Sequence, residues 1–335
     1  MQSQQDRRSP RRASLQRHCF KMSRIIVVGA GINGVTAAIE LKKRGHQVVL
    51  VDPGPLPHPL AASTDISKAV RAAYGADEDY TALAERSIKL WRQWNEEFGT
   101  KLYHEVGVMF VCRQKMEPGD FEYDSWKLLE KRGLKVARMD TPQLWKRFPA
   151  WNPELYLDGV LEIEAGYAES GRAVAMLIER AKSAGVELRE RVKFSQLDER
   201  ANRVTGIVLD DVTRNFFRAT GQPVFHLKPL DRDLFEPDRF PVFGADITTT
   251  GYYGFPINRD GVVKIANHGS GREMSPDSSD RVVTADDEKN LREFLASTFP
   301  SLADAPIVYS RVCMYCDTHD GRRQRTRIQI CPGAR

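Results

Sequence analysis

Residues 24–52 read R-I-I-V-V-G-A-G-I-N-G-V-T-A-A-I-E-L-K-K-R-G-H-Q-V-V-L-V-D. Ile25 to Val28 is a short, β-branched apolar run, the composition of a strand buried on both faces. Gly29, Gly31 and Gly34 follow at once in a G-x-G-x-x-G pattern. Val35 to Arg44 has helical composition and Gly45 is a natural stop. Val48 to Val51 is a second buried strand, and Asp52 closes it. Gly29 permits the tight turn, Gly31 lets a pyrophosphate approach bare backbone, and Gly34 lets helix and strand pack closely. The helix start, with Ile32 and Asn33, turns its N–H groups and positive dipole end toward the phosphates. Asp52 is placed to accept a hydrogen bond from a ribose hydroxyl. Strand, glycine triplet, helix, strand and terminal acid in this order form a specific dinucleotide signal. The motif leaves FAD and NAD both open.

The rest of the composition is that of an ordinary globular chain. Of 335 residues, 41% are hydrophobic and 28% charged, long enough for one large or two ordinary domains. No apolar run reaches membrane-spanning length, and no signal-peptide core is visible. The net charge of +5 is misleading. Residues 1–22 carry +5 and residues 322–335 carry +5, so residues 23–321 carry −5. That balance argues against a nucleic-acid footprint on the folded body. Residues 1–22 are polar and Arg-rich, which reads as disorder, as a mitochondrial-type targeting segment, or as an extension of a chain that works from Met22. Five cysteines, Cys19, Cys112, Cys313, Cys316 and Cys331, are too sparse for a disulfide framework, so a reducing, cytoplasmic setting is the default.

Beyond Asp52, a Pro-rich turn leads to a polar loop, Ala62 to Gly75, that follows the first βαβ unit. Helices are expected over Glu78 to Phe98, with Leu83, Ile88, Leu90, Trp91 and Trp94 inward, over Phe121 to Arg132, over Thr141 to Phe148 behind a Thr-Pro cap, and over Ser170 to Ala184. Strands are expected over Glu105 to Cys112, Gly159 to Ile163, Val186 to Leu188 with Val192, Arg203 to Leu209, Pro223 to Leu227, Thr248 to Phe255 and Val262 to Ile265. The α/β and β-rich blocks alternate, which suggests two interleaved domains. Cys313 and Cys316 form a C-x-x-C, but no further pair of zinc ligands stands at suitable spacing, so no metal site is expected.

Four stretches in order resemble FAD-dependent amine oxidases of the monomeric sarcosine oxidase and fructosyl-amino-acid oxidase type. They are Ile25 to Asp52, then S-T-D-I-S-K-A-V-R-A-A-Y-G (Ser63 to Gly75), Y-Y-G-F-P-I-N-R-D-G-V-V-K-I-A-N-H (Tyr252 to His268) and R-V-C-M-Y-C-D-T (Arg311 to Thr318). The resemblance implies an α/β fold, a Rossmann-type FAD-binding domain (23–100 with 155–215 and 300–321) interleaved with a β-rich substrate domain (101–154 with 216–299). It implies FAD, attached through Cys313 in much of the family. Lys264 would promote the reaction with oxygen, and Arg71 would pair with the substrate carboxylate. Tyr253, His268 and Tyr315 would line the substrate cavity. Gly29, Gly31, Ile32, Asn33, Gly34, Asp52, Ser63, Thr64, Lys68 and Val192 would contact the cofactor. The implied partners are a small amine and molecular oxygen, with no nucleic acid or membrane, and the chain would act as a monomer. Peroxisomal or mitochondrial placement is the alternative to the cytoplasm. A buried lysine in a V-V-K-I strand is costly without a function or a partner, which singles out Lys264.

Two family elements are missing. A strand with an A-x-G-A-W-like end is absent after Leu209, and a G-G-x-G-H-G-F-K segment is absent after Asp320. Their loss is expected to leave the parallel sheet incompletely covered. The alternative function is therefore a non-catalytic homologue with weak or no FAD binding. A second alternative is an NAD-linked dehydrogenase, which gives no reason for Lys264 or Cys313.

Overall fold

The computed structural model describes residues 22–200, 203–208, 217–269, 271–275, 278 and 280–318. Residues 1–21, 209–216 and 319–335 lie outside it, and with them most of the N-terminal extension, the whole basic tail, Cys19 and Cys331.

The opening unit has its elements in the expected order. Strand β1 (Arg24–Val28), helix α1 (Ile32–Lys43) and β2 (Gln47–Val51) make a βαβ start whose two strands pair in parallel, Ile26 opposite Val49. Next come β3 (Lys68–Val70), α2 (Glu78–Phe98), β4 (Tyr103–His104), β5 (Val108–Cys112), α3 (Phe121–Lys131), β6 (Val136–Asp140) and α4 (Thr141–Arg147). Then β7 (Asp158–Glu162), β8 (Gly166–Ala168), α5 (Ser170–Ser183) and β9 (Glu187–Arg189) complete a parallel sheet of order β1-β2-β9. Helices α1 and α5 cover one face of it through Val35, Ala38, Ile39, Val174, Leu177 and Ile178.

The remaining elements are β10 (Gln196–Arg200), β11 (Arg203–Val208), β12 (Phe217–Leu227), β13 (Val242–Ala245), α6 (Ile247–Thr250), β14 (Tyr252–Phe255), β15 (Val263–Asn267), β16 (Arg272–Glu273), α7 (Ala285–Thr298) and β17 (Ile307–Thr318). Strands β10 and β11 form a hairpin. A nine-stranded sheet runs β16-β12-β15-β14-β13-β5-β7-β6, with β17 also paired to β12. Strands β7 and β17, assigned above to the cofactor half, hydrogen-bond within this larger sheet. A further sheet has the order β3-β8-β4.

Register gives the large sheet two unlike faces, because side chains alternate. One face carries Phe225, Leu227, Phe243, Tyr252, Val263 and Ile265, packed on Leu291, Phe294 and Leu295 of α7 and around Trp151. The other carries Phe110, Tyr253, Phe255, Lys264, Ala266, Gln222, Arg311, Cys313 and Tyr315, as the pairs Phe110–Gly244, Gly244–Tyr253, Phe255–Lys264, Tyr253–Ala266, Val224–Ala266, Val224–Arg311, Gln222–Cys313 and Thr220–Tyr315 require.

Four expectations are corrected. Strand β1 is not buried on both faces: Val28 is 46% exposed and Ile25 to Val27 are half-buried, because no other strand among the described residues lies on its outer side. In α2, Leu83 and Leu90 face solvent. The stripe Thr81, Ala84, Ile88, Trp91 faces inward, and both leucines fall a third of a turn away from it. Helix α4 is capped by Asp140 in a capping box with Gln143, while the Thr141 hydroxyl donates to Tyr156 O. Residues 248–250 belong to the single turn of α6, bracketed by left-handed Asp246 and Gly251 (φ 46° and 71°), so the strand starts only at Tyr252.

Candidate active site

The glycine turn has the contacts its pattern requires. A Cβ on Gly34 would lie 1.7 Å from the carbonyl oxygen of Gly29, so α1 leans on the turn with no room for a side chain. Gly29 has φ 91°, which favours glycine. Helix α1 has no acidic residue in its first turn and no side-chain cap on Gly31, which leaves its positive end available to an anion. Ile32 N–H donates to Ser63 Oγ at 3.2 Å, so the polar loop reaches the glycine turn. Asn33 is exposed on the first turn of α1. The Asp52 carboxylate accepts from Ala30 N–H at 2.8 Å and Gly54 N–H at 2.9 Å, and Val192 N–H donates to Asp52 O at 2.9 Å. Thr64 spends its hydroxyl on His58 O and Ala61 O, shaping its own loop.

Lys264 is 1% exposed. Its ammonium donates to Asp65 Oδ2 and to Ser67 O, both at 2.7 Å, and sits 4.6 Å from the Phe255 ring centre. Burial pushes its pKa down to about 8, against the pull of Asp65 and with Lys68 adding to the fall. Asp65 is 2% exposed on its side chain and meets two further cations, Lys68 Nζ and Arg311 Nη2, each at 3.3 Å. Burial works against ionising it, but Lys264, Lys68 and Arg311 together outweigh burial and hold its carboxyl well below the usual range. Lys68 Nζ also lies 3.9 Å from Cys313 Sγ. Lys264 and Cys313 thus stand on one sheet face and meet the same polar loop.

Alongside them, the Tyr253 and Tyr315 hydroxyls are 3.2 Å apart. Burial, then Tyr315, pushes the Tyr253 pKa well up. His268 lies at the exposed end of β15, its ring 5.3 Å from that of Tyr315. Arg71 stacks over Tyr74 at 4.3 Å and near Phe110 and Phe121. Phe110 shares the working face of the sheet with Tyr253. The backbone after Arg71 is held by the buried Glu162, whose carboxylate accepts from Ala72 and Ala73 N–H at 2.8 to 3.0 Å.

Burial pushes the Glu162 pKa up to about 7 from 4.5. A carboxyl with a raised folded pKa contributes stability that is fully present below pH 4.5 and is lost as pH rises through 7. Denaturant titrations at pH 5 and pH 7.5 are expected to show a loss on the order of 2 to 3 kcal/mol. In Glu162→Gln this part of the pH slope disappears. An unchanged slope in the variant would show that Glu162 does not titrate there.

Sequence reading missed Asp65, Arg311 and Glu162. Asp65 had a signal: it is the only acid between residues 53 and 76, and a buried lysine requires a counter-charge. Arg311 and Glu162 gave none, because their partners are fixed by strand register. Among the described residues no group of three or more His, Cys, Asp or Glu side chains is placed to hold a metal, and no helix is long and apolar enough to cross a membrane.

A dinucleotide fits this frame. The glycine turn, the helix start beyond the Ser63 contact and Asp52 suit its phosphates and ribose, and a buried, positively biased sheet face suits an electron-rich ring. Fold and site together define a Rossmann-type dinucleotide-binding frame joined to a large, mainly antiparallel sheet. The chain belongs to the FAD dependent oxidoreductase family (DAO), whose profile matches residues 24–329. It is 28% identical to monomeric sarcosine oxidase of Bacillus sp. (strain B-0618), over 88% of this chain and 81% of that protein. It is 24% identical to L-saccharopine oxidase of Schizosaccharomyces pombe, over 89% and 81%. The crystal structure of the deglycating enzyme fructosamine oxidase (Amadoriase II) from Aspergillus fumigatus superposes with a TM-score of 0.68 at 22% identity, covering 89% of this chain and 77% of that one. That likeness shows the shared fold.

Proposed function

We propose that the chain is an FAD-dependent oxidase of secondary amines derived from amino acids, releasing an imine and hydrogen peroxide. The observation that carries this reading is the ammonium of Lys264, buried on the sheet face that also bears Cys313. FAD, when bound, supplies a two-electron acceptor that takes hydride from the carbon next to nitrogen and passes the electrons to dioxygen. Gly29, Gly31, Ile32, Asn33, Gly34, Asp52, Ser63, Thr64 and Val192 would hold its nucleotide half, with Lys68 and Cys313 at the ring. The guanidinium of Arg71 binds the substrate carboxylate, for which its planar fork is suited. Tyr253, Tyr315 and His268 line the substrate and exclude water. Lys264 places a fixed positive charge where negative charge develops on oxygen, at no reorganisation cost.

Candidate substrates are N-methyl amino acids, fructosyl amino acids, pipecolate and saccharopine-like amines. The loop D-I-S-K favours the fructosyl and saccharopine-like classes. Peroxide release from the purified protein with each class tests the reading. Yellow protein that evolves peroxide with one of them supports it. Colourless protein, inert toward all of them, supports the second reading, a homologue with weak or no FAD binding, which the lack of a strand on the outer side of β1 among the described residues favours.

The cation beside Cys313 Sγ also supports covalent attachment there. The flavin is then expected to stay with the protein through acid precipitation, and Cys313→Ala to release it into the supernatant. Full release from the unmodified protein would exclude the linkage.

A further inference from the structure

Asp65 links the start of α5 to strand β15 of the large sheet. Its carbonyl oxygen accepts from Ser170 Oγ at 3.0 Å and Gly171 N–H at 2.9 Å, which ties it to the first turn of α5. A Cβ on Gly171 would stand only 3.1 Å from that oxygen, so the contact is tight. Its carboxylate crosses to β15 and meets Lys264 at 2.7 Å. We propose that Asp65 is a positioning residue that holds the Lys264 ammonium against the working face of the large sheet and keeps it charged. This rests on the reading of Lys264 as the cation that serves the oxygen reaction.

The charge balance around Lys264 supports the assignment. Lys68 faces it from β3, His226 from β12, Tyr253 from β14, and Arg311 and Cys313 from β17. Lys68 and Arg311 bear the same sign as Lys264. Burial drives the His226 pKa down to about 4 and that of Tyr253 well up, so both are neutral near pH 7. Asp65 is the one carboxylate in this set. Lys264 titrates near 8 even with that partner in place. Without it the ammonium keeps its full desolvation cost and two like charges, and sheds its proton. Three cations around one carboxylate also explain why Asp65 stays anionic and available to Lys264.

Lysine labelled with ¹³C at Cε reports the charge of Lys264 directly, its signal assigned by its loss in Lys264→Met. The titration is run on FAD-free and FAD-loaded protein, beside stopped-flow reoxidation by dioxygen. Asp65→Asn is expected to lower the Lys264 midpoint by about one pH unit or more, a roughly tenfold loss of ammonium above it. Asp65→Glu restores the midpoint, and Lys68→Met raises it. Reoxidation at pH 7.5 slows in parallel in Asp65→Asn, while reduction by substrate is unchanged. A Lys264 midpoint that does not move in Asp65→Asn overturns the proposal. If Asp65→Asn does not fold, Lys68→Met decides, since a midpoint that stays or falls there overturns it equally. Wild-type reoxidation in Lys264→Met would instead remove the oxygen role of Lys264, leaving the Asp65 assignment to be judged by the titration alone.

Discussion

Lys264→Met is expected to leave FAD bound and reducible by substrate, yet to slow reoxidation by dioxygen about a hundredfold or more, the typical loss when a preorganised charge is removed from a developing anion. The substitution suits the site. Methionine fills a similar volume beside Phe255, and Asp65 keeps two cationic neighbours in Lys68 and Arg311. The fold should therefore survive, and the loss should appear in one half-reaction only. The pH dependence gives a second mark. With Lys264 titrating near 8, the rate of reoxidation falls as pH rises through that value, because the ammonium is the active form. In Lys264→Met that fall is absent. Stopped-flow reoxidation between pH 6.5 and 9.5 measures both, and equal rates and profiles in the two proteins would remove Lys264 from the oxygen reaction.

Much of this site was legible in the chain because its chemistry is local. The strand, turn and helix from Arg24 to Lys43 are specified by residues that touch one another along the sequence, and they form within a few residues of expectation. Lys264 could be singled out because a lysine inside V-V-K-I requires either a function or a buried counter-charge. What stayed hidden depends on register and coverage. Arg311 meets Asp65 only because Val224 of β12 pairs with it, carrying its side chain to the working face. No local pattern encodes that pairing. The exposure of β1 was hidden for a related reason. Its run R-I-I-V-V records what the strand is built to contact, and composition cannot say whether a neighbour lies alongside it. In α2, size and apolarity alone do not mark the inward face, which helical phase decides. Leu83 and Leu90 are seven apart and share a side, but the stripe set by Thr81, Ala84, Ile88 and Trp91 runs beside them.

The cofactor frame itself makes the other large prediction. Gly34→Ala is expected to abolish FAD binding and to destabilise the chain by about 3 kcal/mol or more, at the upper end of overpacking effects. The added methyl would stand 1.7 Å from the Gly29 carbonyl oxygen and 3.0 Å from its carbon. Neither atom belongs to a flexible side chain, so relief requires α1 to lift away from β1. That movement opens the turn on which the phosphates would sit and breaks the contact of Ile32 N–H with Ser63 Oγ. Gly45→Ala is the control. Gly45 also has a positive φ, 85°, but nothing lies within 4 Å of its missing Cβ. It should cost only about 1 to 2 kcal/mol of backbone strain and leave FAD binding intact. Thermal unfolding with and without added FAD separates the cases, because a ligand that binds only the folded chain raises its midpoint. FAD should raise the midpoint of Gly45→Ala and leave that of Gly34→Ala where it is. A Gly34→Ala protein that melts and binds like the parent would mean that helix and turn are not packed as described, and the dinucleotide site would have to be sought elsewhere.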